Sequence, residues 1–193
     1  MAELLPLIGF VFLGLFSPGP NVILLTASGA RFGFKRTIPH ILGVAIGVGI
    51  TAGITGLGIG ALLAVVPMLT ALLKIVASLW ILWMAVILWR ADPAKTNSRA
   101  RPFSFIEAIL FQWINPKVWA VAMSATAYVA TLPAMDQAMT LGVMFSTLNL
   151  GVCLFWTMAG ALLSYLLTNP VAWQIFLRIM AIGLVGFSAL IFI

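Results

Sequence analysis

Six stretches of this chain are apolar over lengths that suit a membrane crossing. They run near Leu4–Ala30, Ile38–Val66, Leu69–Trp89, Ser104–Ala130, Ala138–Thr168 and Val171–Ile193, and a helical crossing uses about 20 residues. The only charged side chains within them are Lys74, Glu107, Lys117 and Arg178. A soluble domain covers itself with polar groups, about 25% of its residues being charged; here 7% are charged and 63% are hydrophobic. Lipid is therefore the solvent for most of the surface, and the expected fold is all-α and integral to the membrane, with six transmembrane helices. The same balance excludes a soluble enzyme, a secreted disulfide scaffold and a nucleic-acid module built on the net charge of +6. Cys153, the single cysteine, forms no internal disulfide or dithiol pair. Met1-Ala2-Glu3 lacks a basic n-region, so the first stretch reads as a retained crossing and not as a signal peptide.

One hydrophilic connection, Arg90 to Pro102, divides the chain near its middle, and the halves resemble each other. Gly60-Ala61-Leu62-Leu63 is repeated as Gly160-Ala161-Leu162-Leu163, Leu73-Lys74-Ile75 is answered by Leu177-Arg178-Ile179, and Pro20-Asn21-Val22 by Pro116-Lys117-Val118. With three crossings in each half, the second half enters the membrane from the opposite side. The chain reads as a single membrane domain, 1–193, of two inverted three-helix repeats, 1–91 and 104–193, joined by a linker at 92–103; many secondary transporters share this plan.

Arg31, Lys35 and Arg36 fall in the first loop, and Arg90, Lys95, Arg99 and Arg101 in the third. Basic loops stay in the cytoplasm, so both termini are expected outside, with Trp89 and Trp173 at the cytoplasmic ends of their helices.

A spanning helix must satisfy every backbone polar group internally. The first crossing breaks that rule with Ser17-Pro18-Gly19-Pro20-Asn21: two prolines remove two N–H donors and clash with carbonyls one turn back. The expected result is an interrupted helix, with loosened carbonyls before the break and open N–H groups after it, a site for an anion such as a carboxylate. A purely structural kink is the alternative. In the fourth crossing, Gln112-Trp113-Ile114-Asn115-Pro116-Lys117 repeats the pattern around a cation. Lys117 lies about 18 Å from either end at the α-helical rise, where a charge needs a partner or a wet cavity. Glu3, Asp92 and Asp136 belong to ends or loops, and Glu107 is about 15 Å away along the same helix. The sequence therefore leaves two roles for Lys117: contact with an anionic substrate, or a brace bonded to carbonyls of a broken helix.

Asn149, near the middle of the fifth crossing after Ser146 and Thr147, is either a ligand contact or an interhelical one. Lys74 and Arg178 read as interfacial anchors, and His40 as a surface residue near the start of the second crossing. The glycines of that crossing, including Gly43, Gly47, Gly49, Gly53, Gly56 and Gly60, point to close helix packing; a sliding surface or a homo-oligomer face fits the same spacing.

Together these residues resemble the lysine exporter/homoserine-threonine resistance (LysE/RhtB) family. The matching features are Ser17-Pro18-Gly19-Pro20-Asn21, Gly29-Ala-Arg-Phe-Gly33 with Lys35-Arg36, Gly43-x-x-x-Gly47 and Asn115-Pro116-Lys117, in order over essentially the whole chain. The resemblance implies a bacterial inner-membrane carrier that expels amino acids or close derivatives, using the proton-motive force. Relatives that carry thiol electrons need two membrane cysteines, and metal exporters need clustered acidic, His or Cys ligands; neither pattern is present in the sequence. The reading is thus an alternating-access exporter, not an enzyme, with no cofactor, metal site or nucleic-acid partner. Its expected substrate site is Ser17, Pro18, Gly19, Pro20, Asn21, Asn115, Pro116, Lys117 and Asn149. The N–H groups after Gly19 and Lys117 would receive the carboxylate, the three asparagines other polar groups, and carbonyls near Ser17 and Asn115 the ammonium. A passive channel, or an exporter of another small solute or ion on the same fold, is the alternative.

Overall fold

The computed structural model describes residues 4–17, 19–59, 66–90, 101–166 and 169–190. Pro18, the Gly60-Ala61-Leu62-Leu63 segment and most of the linker, with Asp92, Lys95 and Arg99, lie outside the described residues, as does the Lys74 side chain. Among the described residues the structure is helical, with no strand. The first apolar stretch forms α1 (Leu4–Phe16) and α2 (Pro20–Phe32). Gly33, at φ 80°, a backbone region that disfavours side chains, turns the chain into α3 (Phe34–Ile54), which ends in a wide turn at Thr55–Ile59. The next helix is α4 (Pro67–Trp89). The fourth stretch divides into α5 (Phe105–Ile114) and α6 (Pro116–Ala125), followed by a tight turn at Thr126–Val129. Two long helices complete the chain, α7 (Ala134–Leu166) and α8 (Pro170–Leu190).

Phe34–Gly58, Ala134–Ser164 and Pro170–Ala189 are each long and apolar enough to cross a membrane, and Leu5–Phe16 with Pro20–Phe32 makes a fourth candidate, bent by 57°. Shorter apolar helices lie at Ser78–Trp89 and Phe105–Ile114. Exposed Leu79 and Trp83 on α4, and Ile175, Ile179 and Ile182 on α8, present hydrocarbon outwards, as a protein dissolved in lipid does.

The α5 start shows how local sequence sets an element. Ser104 accepts from the Glu107 N–H, and the Glu107 carboxylate accepts from the Ser104 N–H, a capping box that satisfies two otherwise unbonded donors. Arg101 also pairs with Glu107 through both guanidinium nitrogens, at 2.6 and 2.7 Å; the carboxylate beside it pushes the Arg101 guanidinium further up. Glu107 is thus committed at the helix start and is no counter-ion for Lys117.

The glycines of α3 serve packing on two faces. A Cβ at Gly43 or Gly47 would overlap α5 at Phe105, Ala108, Ile109 and Gln112, whereas Gly49, Gly53 and Gly56 abut Gly142, Ser146 and Ala138 of α7. Rising numbers on α3 meet rising numbers on α5 and falling numbers on α7, so α3 runs parallel to α5 and antiparallel to α7. The Ser28–Thr37 hydroxyl bond, 3.1 Å, ties α2 to α3 as an antiparallel hairpin. α2 and α7 cross where Gly29 lies on the Thr157 backbone and Gly160 on the Thr26 backbone, and bulkier residues at either glycine would overlap a carbonyl. On the other side, Ile81, Met84, Ala85 and Leu88 of α4 and Leu177, Ala181 and Leu184 of α8 join Ile23, Leu24 and Ala27 of α2 in one apolar cluster. Arg178 stacks over Trp89 at 5.2 Å, placing the end of α4 beside the beginning of α8.

Candidate functional site

Both expected breaks exist, and each is explained by backbone accounting. In a regular helix the Gly14 carbonyl would take the N–H of residue 18, but proline has none; it accepts instead from the Ser17 hydroxyl at 3.0 Å. Pro20 then opens α2 at the first helical position, where its missing donor costs nothing. No side chain caps α2, and helix geometry leaves the Asn21 and Val22 N–H groups without intrahelical acceptors. At the second break the Gln112 carbonyl, deprived of a donor by Pro116, accepts from the Asn115 N–H at 3.2 Å. The Asn115 side chain caps α6 by accepting from the Lys117 N–H at 3.2 Å. That diverts the donor due to the Trp113 carbonyl, which accepts from the Trp119 indole at 2.9 Å. The two breaks therefore differ: α6 is capped by its own asparagine, and α2 has no side-chain cap among the described residues.

The breaks face each other. The Lys117 ammonium donates to the Ser17 carbonyl. At the second residue of α2, the Asn21 amide donates to Gln112 Oε1 at 2.8 Å and accepts from Gln112 Nε2 at 3.2 Å. Gln112 also donates to the Ala108 carbonyl at 2.8 Å. Asn115 and Gln112 are buried, so this amide clasp joins α2 to α5 inside the bundle. Gly19 is extended, at φ −177°, which any residue adopts, so backbone freedom is not what the site demands of it. The Lys117 side chain lies against it, and a Cβ there would stand 2.8 Å from Lys117 Cδ and 3.0 Å from Nζ.

Of the residues expected from sequence, Ser17, Gly19, Pro20, Asn21, Asn115, Pro116 and Lys117 thus meet at one place, while Pro18 lies outside the described residues. Asn149 is 2% exposed, and its Nδ2 has no hydrogen-bond partner among the described residues. It stands one helical turn from Ser146, which lies against Gly49 of α3, and Gly47 of α3 lies against Gln112. Gln112 received no role from sequence, although it is an amide on an otherwise apolar helix beside the second break. His40 corrects the sequence reading: it is buried, 2% exposed, because the segment entering α5 lies over it, with the Phe103 ring centred 5.0 Å away. Among the described residues no group of three His, Cys, Asp or Glu could hold a metal.

No solved structure matches the chain. A cysteine/O-acetylserine efflux protein of Salmonella typhimurium is 26% identical over 149 residues, 76% of each chain. A homoserine/homoserine lactone efflux protein of the same organism is 28% identical over 136 residues, 66% of this chain and 65% of its own. An uncharacterized membrane protein of Vibrio cholerae is 25% identical over 161 residues, 80% of this chain and 78% of its own. The family model described as LysE type translocator matches residues 12–193. With that match spanning the breaks and every helix after them, the chain belongs to the LysE/RhtB family, whose members are membrane transporters and not enzymes.

Proposed function

We propose that this protein exports an amino acid or a close derivative by alternating access, with the two facing breaks as its substrate site. The observation that carries the reading is the Lys117 ammonium on the Ser17 carbonyl. A carbonyl loosened by a helix break is a seat for an ammonium group, and at rest the protein's own lysine holds it. A zwitterionic amino acid brings both halves of an exchange. Its ammonium takes the seat at Ser17, and its carboxylate draws Lys117 and the open N–H groups of Asn21 and Val22, where the α2 dipole favours an anion. Asn21, Asn115 and Asn149 then offer amides to the remaining polar groups, Asn149 with a donor already unengaged. The swap leaves no buried charge unmet at either stage, which a low-dielectric site requires.

The relatives that export cysteine, O-acetylserine or homoserine support small, polar amino acids as cargo. Six crossings in inverted halves, divided at 92–103, are supported by Pro20 and Pro116 each opening a half-helix and by the pairing of α3 with α7 and α4 with α8. The basic residues of the α2–α3 turn and of Arg101 favour a cytoplasmic position for that end of the bundle in a bacterial inner membrane, with both termini outside. Counterflow in proteoliposomes tests the carrier: vesicles loaded with unlabelled homoserine, O-acetylserine, cysteine or threonine should accumulate the same labelled compound transiently. A passive pore equilibrates the label with no overshoot, and absence of overshoot with every amino acid offered overturns the reading.

A further inference from the structure

We infer that His40 is a substrate-positioning residue on the path from the basic end of the bundle to the breaks, and that Phe103 is the lid over it. The inference rests on the carrier reading above. His40 is the chain's one histidine. It is 2% exposed, and neither Nδ1 nor Nε2 has a hydrogen-bond partner among the described residues. A neutral imidazole always presents one N–H donor and one acceptor, so burial here leaves both unmet, a cost that an apolar side chain of similar size would avoid.

Its position explains why the cost is carried. Thr37, three residues earlier on the same face of α3, holds Ser28. His40 is thus about 4.5 Å further in, and the Asn21–Gln112 clasp lies seven residues along α2 from Ser28, about 10.5 Å in. Ser28–Thr37, His40 and Asn21–Gln112 form a file of polar groups leading from the Gly33 turn, with Lys35 and Arg36, to the breaks. The Thr157 hydroxyl of α7, whose backbone lies against Gly29 beside Ser28, is also buried with no hydrogen-bond partner among the described residues. Groups left unsatisfied in one arrangement of a bundle are satisfied in another where water or cargo reaches them. The movable cover is Phe103, whose ring lies 5.0 Å from His40 and edge-on to Phe111 at 6.3 Å. It stands just before the α5 capping box, with Arg101 and Glu107 paired at the mouth. When that segment lifts from α3, the imidazole N–H is the first buried donor without a partner among the described residues that an incoming carboxylate, an acceptor only, meets on its way to Lys117.

Diethyl pyrocarbonate, which carbethoxylates accessible imidazoles, reads this directly. Inside-out vesicles of the native chain are treated with it, and the His40 peptide is followed by mass spectrometry. Labelling should be slow at rest and roughly tenfold faster when homoserine or O-acetylserine drives turnover, as expected when a minor open state becomes a major one. Phe103→Ala should label rapidly without either compound, and His40→Leu should raise KM for cargo from the basic side more than it lowers the maximal rate, with His40→Gln restoring KM in part. Equal labelling in all three conditions, or fast labelling at rest, overturns the inference. Counterflow by the untreated protein is measured in parallel: counterflow with invariant labelling sinks only the His40 path, whereas no counterflow sinks the carrier reading and the path with it.

Discussion

Replacing both members of the Asn21–Gln112 clasp should cost less than the two single replacements summed. Asn21→Leu removes the 2.8 Å and 3.2 Å bonds together. Interhelical side-chain bonds in membrane proteins average about 0.6 kcal/mol, so the pair contributes roughly 1.2 kcal/mol. The larger penalty falls on what remains. Gln112 is fully buried, and without Asn21 its Oε1 keeps, among the described residues, only the 3.5 Å approach of Asn115; stranding such a group costs about 1–3 kcal/mol. Gln112→Met strands the half-buried Asn21 less completely and should cost about 1 kcal/mol. The double variant strands neither amide, so its loss should fall short of the summed single losses by about 1–2 kcal/mol. Equilibrium unfolding in mixed micelles measures all four corners of the cycle. Losses that add to within about 0.3 kcal/mol would show that the clasp does not couple the two breaks energetically. Counterflow should be lost in the double variant although its stability loss is smaller than the summed single losses, because the amides would be gone from the site.

Three further outcomes follow from the same geometry. Lys117→Ala, expressed at the wild-type level, should abolish counterflow; Gly19→Ala, whose Cβ would press on Lys117, should lower it severalfold, and wild-type rates in both would remove the lysine from the mechanism. Gly160→Leu, set on the Thr26 backbone, should destabilise the protein by several times the cost of Gly151→Leu, a position with open space around its Cα; thermal unfolding in detergent compares them. Export measured against external pH at fixed membrane potential should slow as the proton gradient collapses, and a flat response would argue against proton antiport.

Much of the site was legible in the chain because its constraints are local. Pro18, Pro20 and Pro116 lack backbone donors wherever they stand, so a run of apolar residues containing them announces its own interruption, and Lys117 within such a run announces a need for company. Glycine at intervals of four likewise announces close packing. What those residues would touch was not legible. The sequence left a carbonyl of a broken helix as one of the roles for Lys117, but not which carbonyl: it is that of Ser17, one hundred positions away in the chain. Gln112 gained its role only through Asn21, on a helix joined to it by no local pattern.

His40 marks the same boundary from the other side. Its place near a helix start suggested a surface, and only the fold of Phe103 across α3 buried it. Sequence alone determined that the chain dissolves in lipid, where its helices break and which cation lies deep, since each follows from side-chain chemistry and backbone donors read one residue at a time. The tertiary structure decided which break faces which, which amides pair and which polar groups are left waiting. Those depend on helices from distant parts of the chain coming together in space, and the energies that select one such arrangement belong to contacts and not to residues.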